Sequence, residues 1–192
     1  MRVEPELRTP RLILRRWRDT DRDPFAALNA DRAVMEHFPA PLRREESDDL
    51  VDRIESGFDA RGWGLWAVEV PGTAPFIGFV GLNPATFDAP FTPAVEVGWR
   101  LAREHWGHGY ATEGARAALA FGFEDLALDE IVSFTSHGNT RSRQVMERLG
   151  MHNDPADDFD NPNVPAGDPL RAHVLYRLDR ERWQRDSPRT TG

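Results

Sequence analysis

The amino-acid sequence predicts a single α/β domain with a mixed, mostly antiparallel sheet flanked by helices. Strand-like segments at 65–70, 76–82 and 94–101 follow one another through turns that contain Pro and Gly, which favours an antiparallel meander. After Gly109 the apolar residues change from the period of a strand to that of a helix. A further strand at 131–135 follows this helix, and that order favours one parallel crossover.

The N-terminal part predicts a strand followed by three helices. Residues 11–17 form a short β-compatible segment, which we interpret as the opening strand. Asp23 is the expected N-cap of the first helix, and Asp31 is the expected N-cap of a second, short one. The third helix is predicted over 44–58, where apolar residues recur on one helical face.

The C-terminal part predicts a helix over 140–149 and a last strand over 174–178. Between them, residues 153–169 are rich in Asp, Asn and Pro and predict a long loop. We therefore expect one domain over 1–183 and a flexible C-terminal tail over 184–192.

Composition narrows the class of protein. The 192 residues carry a net charge of −8, which disfavours binding to a phosphate backbone, so no nucleic-acid partner is expected. The absence of cysteine excludes disulfides, cysteine-ligated zinc and an acyl-cysteine intermediate. Long apolar runs are missing as well, so the sequence predicts a cytoplasmic protein without a membrane partner.

The segment from the strand at 94–101 into the following helix carries the strongest functional signal. Gly107 and Gly109 allow the backbone to approach an anion closely, and the first turn of a helix offers unpaired N–H groups to a pyrophosphate. Thr112 occupies the third glycine position of a dinucleotide site, and no triphosphate-binding loop is present. A glycine-rich turn without a ligand remains the alternative.

Residues 106–111, Trp-Gly-His-Gly-Tyr-Ala, resemble the R/Q-x-x-G-x-G/A pyrophosphate loop of the GNAT acetyltransferases, with Trp106 at the Arg/Gln position. Residues 96–113 are similar to the branch of that family that contains the ribosomal-protein N-terminal acetyltransferases. Two further segments, 7–15 and 139–151, resemble the first strand and the N-x-x-S helix of the same branch.

This resemblance implies a GNAT domain whose splayed central strand pair holds acetyl-CoA, and direct transfer of the acetyl group to an amine. The implied acceptor is the α-amino group of a protein or peptide. A small-molecule amine and a non-catalytic acyl-CoA-binding sensor are the alternatives, and a homodimer is compatible with each. The residues implied in binding acetyl-CoA are Trp99, Arg100, Leu101, Trp106, Gly107, His108, Gly109, Tyr110, Ala111, Thr112, Asn139 and Ser142.

Glu96 is the candidate general base. Strand alternation places it on one face together with Gly98, so a carboxylate and a bare stretch of backbone share a surface. An amine acceptor arrives protonated, and a carboxylate can accept its proton directly or through water. A solvated glutamate, or one paired with an arginine, is the alternative.

Asn139 and Ser142 also have two interpretations. Asn139 can be simply the N-cap of its helix. The resemblance instead implies that Asn139 lies beside the pantetheine arm and that Ser142 protonates the departing thiolate. Glu113 is expected to be structural, and His105 and His108 are interpreted as loop residues, so no metal is expected.

Overall fold

The computed structural model describes residues 6–186. The chain forms two compact units. Among the described residues, the first unit contains 6–83 together with 97–118, and the second contains 84–96 together with 119–186.

The described residues form nine strands and five α-helices. The strands are β1 (Leu7–Arg8), β2 (Ile13–Arg15), β3 (Leu65–Glu69), β4 (Gly78–Ala85), β5 (Ala94–Leu101), β6 (Glu130–Ser136), β7 (His152–Asn153), β8 (Phe159–Asp160) and β9 (Ala172–Asp179). The helices are α1 (Arg22–Ala30), α2 (Arg44–Arg61), α3 (Tyr110–Ala120), α4 (Thr140–Arg148) and α5 (Arg180–Asp186).

The first unit contains the N-terminal half of the sheet. Strands β1, β2, β3 and β4 are joined in that order by antiparallel pairs, and β4 neighbours β5. Side chains such as Phe25, Phe58 and Trp66 fill the core here and are at most 1% exposed. Burial of apolar side chains of this size is the main stabilising term for such a core.

The second unit contains the parallel pair of the sheet. Glu96 of β5 lies opposite Val132 of β6, and the connection between the two strands passes through α3, as expected for a crossover. Strand β6 then pairs antiparallel with β9, and β7 and β8 also pair antiparallel with β9. The mixed, mostly antiparallel sheet predicted from the sequence is confirmed.

The prediction of a short helix after Asp31 is wrong, because the described residues between α1 and α2 form no helix. Asp31 ends α1 in an extended conformation, and its carboxylate accepts a hydrogen bond from the Ala33 N–H at 2.8 Å. The backbone then forms turns up to Phe38. An Asp side chain that bonds the backbone two residues ahead stabilises a turn in competition with a helix. The first helix also begins two residues earlier than predicted, at Arg22, with Asp21 in place of Asp23 as the N-cap.

Residues 153–169 are more ordered than the predicted loop. They contain β8 and a 3-10 turn, and Val164 is 5% exposed. The Asn153 amide donates to the Leu175 carbonyl at 2.9 Å, which ties the start of the segment to β9. Helix α5 runs to Asp186, past the predicted start of the tail, and residues 187–192 lie outside the described part.

Within residues 6–186, no helix is long and apolar enough to cross a membrane.

Candidate active site

The two-glycine loop lies in the first unit, between a 3-10 turn at Arg103–His105 and the start of α3 at Tyr110. Gly107 and Gly109 have φ values of 79° and 80°, a left-handed conformation that a residue with a Cβ adopts only at a cost. Both glycines are exposed to solvent. The loop therefore presents accessible backbone immediately before the N-terminus of a helix, the arrangement that suits a pyrophosphate.

Arg11 holds this loop from the N-terminal segment. Its Nη1 donates to the His108 carbonyl at 2.9 Å, and its guanidinium lies 4.9 Å from the centre of the Tyr110 ring. The His108 and Tyr110 rings stack at 5.4 Å. On the other side of the loop, Trp106 Nε1 donates to the Leu101 carbonyl at 2.8 Å. These contacts position the loop before any ligand arrives.

Glu113, in the first turn of α3, accepts hydrogen bonds from the Thr9 hydroxyl at 2.6 Å and from Arg11 Nε at 2.6 Å. Burial alone would raise the pKa of the Glu113 carboxyl, but the hydrogen bonds from Thr9 and Arg11 outweigh it and lower that pKa. Glu113 thus ties the start of α3 to the N-terminal segment, in keeping with its predicted structural role.

Close packing of α3 also depends on a glycine. A Cβ on Gly114 would lie 3.3 Å from Val80 Cγ2, and Ala115 and Ala118 on the same helix are fully buried. The stripe of small residues lets α3 lie directly on β4, which fixes where the N-terminus of the helix points.

Among the three β5 residues implied in acetyl-CoA binding, Leu101 is buried and Trp99 and Arg100 are half-buried. The Leu101 carbonyl receives the Trp106 hydrogen bond, so the end of the strand and the loop are joined. Trp99 to Thr112 thus form one continuous stretch of the first unit. Glu96, Asn139 and Ser142 belong to the second unit.

Glu96 is half-buried, and burial raises the pKa of its carboxyl to about 8. No residue within 6–186 forms a hydrogen bond or an ion pair with this carboxylate, so the alternative of an arginine-paired glutamate does not hold there. A carboxylate in this state has an affinity for protons close to that of an amine, as a general base for an ammonium group requires.

The raised pKa of Glu96 predicts a pH-dependent stability. The unfolded carboxyl, with a pKa of about 4.3, ionises before the folded one, with a pKa of about 8, so wild-type stability falls as pH rises between these values. Glutamine does not ionise. We expect thermal denaturation of Glu96→Gln to show a Tm advantage over wild type that grows from pH 5 to pH 8. Parallel curves for the two proteins would contradict the raised pKa.

Asn139 is the N-cap of α4, as one of its two interpretations predicts. Its Oδ1 accepts from the Ser142 N–H at 3.2 Å, and its Nδ2 donates to the Thr135 hydroxyl at 2.8 Å. The half-buried Ser142 hydroxyl, by contrast, makes no hydrogen bond within the described residues. Ser142 therefore has a donor available for a ligand, whereas both ends of the Asn139 amide are occupied.

Of the two histidines near β9, His173 is buried and has both ring nitrogens engaged. Its Nδ1 lies 3.1 Å from the Arg171 carbonyl and its Nε2 lies 3.3 Å from Asn161 Nδ2. Burial lowers the pKa of His173, which keeps the ring neutral. His137 is exposed, with its Nε2 3.1 Å from Asp158 Oδ2. His173 is therefore a weaker proton acceptor than an ordinary histidine.

An aromatic cluster that the sequence analysis did not predict lies on the same face of the sheet as the Glu96 side chain. Val132, opposite Glu96, and Phe134, two residues later, project from one face of the strand. Phe134 packs against three other half-buried phenylalanines, two from the connection between β4 and β5 and one from β8, and the ring centres of the four lie 4.8–6.1 Å apart. The four are Phe87, Phe91, Phe134 and Phe159. One of them comes from the segment predicted as a loop, so that segment helps to build an apolar wall.

Comparison with known proteins identifies the family. A family model described as an acetyltransferase (GNAT) domain matches residues 11–152. The FsC-acetyl coenzyme A-N(2)-transacetylase of Aspergillus fumigatus is 30% identical over 96% of this chain and 80% of its own. The crystal structure of an acetyltransferase from Agrobacterium tumefaciens is 30% identical, with a TM-score of 0.73 over 91% of this chain and 94% of its own.

Two more distant structures share the fold and are described as complexes with coenzyme A. One is a ribosomal L7/L12 α-N-protein acetyltransferase, 16% identical with a TM-score of 0.70 over 92% of this chain and 97% of its own. The other is a spermidine N-acetyltransferase from Vibrio cholerae that also holds spermine, 20% identical with a TM-score of 0.70 over 92% and 99%. The chain therefore belongs to the GNAT acetyltransferases and is an acetyl-CoA-dependent acyltransferase.

Proposed function

We propose that this protein acetylates the α-amino group of a peptide or of a small amino-acid-like compound, by direct transfer from acetyl-CoA. The observation that carries the proposal is Glu96, a half-buried carboxylate without a partner among the described residues, on the strand that leads into the two-glycine loop. The name of the Aspergillus fumigatus relative supports transfer to a nitrogen designated N(2).

Glu96 accepts a proton from the acceptor's ammonium group, and the amine nitrogen then forms a bond to the thioester carbon. The carbon–sulfur bond breaks, and Ser142 donates a proton to the departing thiolate. Backbone N–H groups of the splayed strand β5 stabilise the oxyanion that forms in between. The pyrophosphate is held by backbone N–H groups of the loop from Trp106 to Thr112.

A polyamine-like acceptor is the second candidate, favoured by the spermine-bound structure with the same fold. A non-catalytic acyl-CoA sensor is the third. Release of free thiol from acetyl-CoA separates enzyme from sensor, and a panel of peptides, amino acids and polyamines separates the acceptors. Thiol release with polyamines alone would contradict the α-amino proposal. The cytoplasmic location and the homodimer remain predictions.

Acetyl-CoA is expected to stabilise the fold, because the binding loop exists only in the native state. A ligand at about 100 times its Kd adds about 2.7 kcal/mol. For a domain of this size, this raises the Tm by roughly 5 to 11 °C. A thermal melt with and without acetyl-CoA measures the shift. No shift with acetyl-CoA, together with an equal or larger shift with NAD, would contradict the loop assignment.

A further inference from the structure

The side chain of Arg100 lies in an unusual setting within the first unit. Its guanidinium carbon is 4.2 Å from the centre of the Phe38 ring and 5.4 Å from that of Phe79. Its Nη1 donates to Asn29 Oδ1 at 2.6 Å. Two aromatic rings and one neutral amide are its partners, and such partners orient a guanidinium without neutralising it.

No carboxylate within residues 6–186 forms an ion pair with Arg100. The chain has 32 acidic residues, and many other arginines, such as Arg15 and Arg22, are paired with them. Burial lowers the pKa of the Arg100 guanidinium to about 10, and no anion counteracts that effect. Its Nε is buried without a hydrogen-bond partner. A half-buried cation without a counter-ion is costly to the folded protein, and a bound anion removes that cost.

The Arg100 guanidinium is held in position by a buried hydrogen-bond chain through Asn29 and Ser47. Asn29 is fully buried, and its Nδ2 donates to the hydroxyl of Ser47, which is also fully buried, at 2.9 Å. That hydrogen bond orients the Asn29 oxygen toward Arg100. One of the five N–H donors of the guanidinium is occupied by Asn29, which leaves the Nη2 group for a ligand. A carboxylate is planar, as a guanidinium is, and can accept two of its N–H groups at once.

The two-glycine loop and the Arg100 side chain, both in the first unit, have different contacts. The loop around Gly109 is held by Arg11, whereas the Arg100 side chain is directed to Asn29, at the end of α1, and to Phe38, which precedes α2. The Arg100 backbone lies in the stretch implied in acetyl-CoA binding, whereas the hydrogen bond and ring contacts of its side chain are to residues outside the loop.

We propose that Arg100 binds a carboxylate of the acceptor, so that the acceptor is a primary amine that carries a carboxylate. This inference rests on the proposed N-acetyltransferase function. The carboxylate is either the α-carboxylate of a free amino acid or an acidic side chain near the N-terminus of a peptide.

The test uses the wild-type protein and matched acceptor pairs, each differing in one carboxylate. The pairs are an amino acid with its amide, and a peptide with Glu at its second position with the same peptide carrying Gln there. In at least one pair we expect kcat/KM to be about 10- to 150-fold higher for the acid, the range of a charge-assisted hydrogen bond. The pair that shows the preference identifies the source of the carboxylate. Equal rates within both pairs would overturn the inference.

Variants assign the preference to the arginine. Arg100→Gln should raise KM for the preferred acid much more than KM for its neutral partner, and Arg100→Lys should restore part of the preference. Arg22→Gln is the matched control, because Arg22 lies on α1 and is paired with Asp52 at 2.6 Å. This control should keep the full preference.

A binding measurement keeps this inference separate from the proposed function. In the presence of CoA, the acids should raise the Tm of wild type and fail to raise that of Arg100→Gln, whether or not acetyl transfer occurs. Absence of thiol release with every amine, alongside that difference, would contradict the enzyme and leave the carboxylate site in place. Loss of the acetyl-CoA thermal shift itself in Arg100→Gln would assign the guanidinium to a CoA phosphate and overturn the inference.

Discussion

Replacement of Gly109 by glutamate should abolish acetyl-CoA binding while the protein stays folded. Gly109 has a φ of 80°, and the new side chain would place a Cβ and a negative charge in the loop assigned to the pyrophosphate. Like charges about 4 Å apart at an effective dielectric constant of about 20 repel by about 4 kcal/mol, so an affinity loss of at least about 100-fold is expected. Calorimetric titration with acetyl-CoA measures it.

Gly72→Glu is the matched control for this variant. Gly72 has a φ of 73°, and a Cβ there would meet no atom within 4 Å. It lies in the turn between β3 and β4, so the substitution adds the same charge and a similar backbone strain of about 1–2 kcal/mol away from the loop. We expect Gly72→Glu to bind acetyl-CoA like wild type. Retained affinity in Gly109→Glu would place the pyrophosphate elsewhere.

Glu96→Gln should lower turnover by about 10²- to 10⁴-fold, the usual contribution of a general base, with little change in acetyl-CoA affinity. Glutamine keeps the shape of the side chain and cannot accept the ammonium proton. The pKa of Glu96 is about 8, so wild-type activity should rise with pH up to that value and then level off. The variant depends on acceptor that is already deprotonated, so its deficit should shrink at higher pH. Steady-state kinetics from pH 6 to pH 10 measures both profiles.

Ser142→Ala provides the comparison. If the Ser142 hydroxyl protonates the departing thiolate, its loss should slow turnover at every pH, without the recovery at high pH expected for Glu96→Gln. Wild-type rates for Glu96→Gln at neutral pH would make Glu96 a structural residue and would leave water or His137 as the proton acceptor.

Local patterns were sufficient for most of the fold. The strand predicted over 94–101 is β5 with the same bounds, and the helix predicted over 44–58 ends only three residues later, at Arg61. Such segments are predictable because their apolar spacing and turn residues act within a few positions of each other. The helix expected after Asp31 failed for a local reason too, since a side-chain hydrogen bond to the backbone favoured a turn.

The sequence by itself established the α/β fold, the two-glycine loop and the resemblance to the GNAT family, because each depends on residues adjacent in the chain. Only the tertiary structure decided which charged side chains have a partner and how their pKa values are shifted. Glu113 is tied to Thr9 and Arg11 across about a hundred residues, whereas Glu96 and Arg100 have no partner of opposite charge among the described residues. The pKa of a charged side chain depends on how deeply it is buried and on which charges lie near it in space, and no local pattern of residues contains that information.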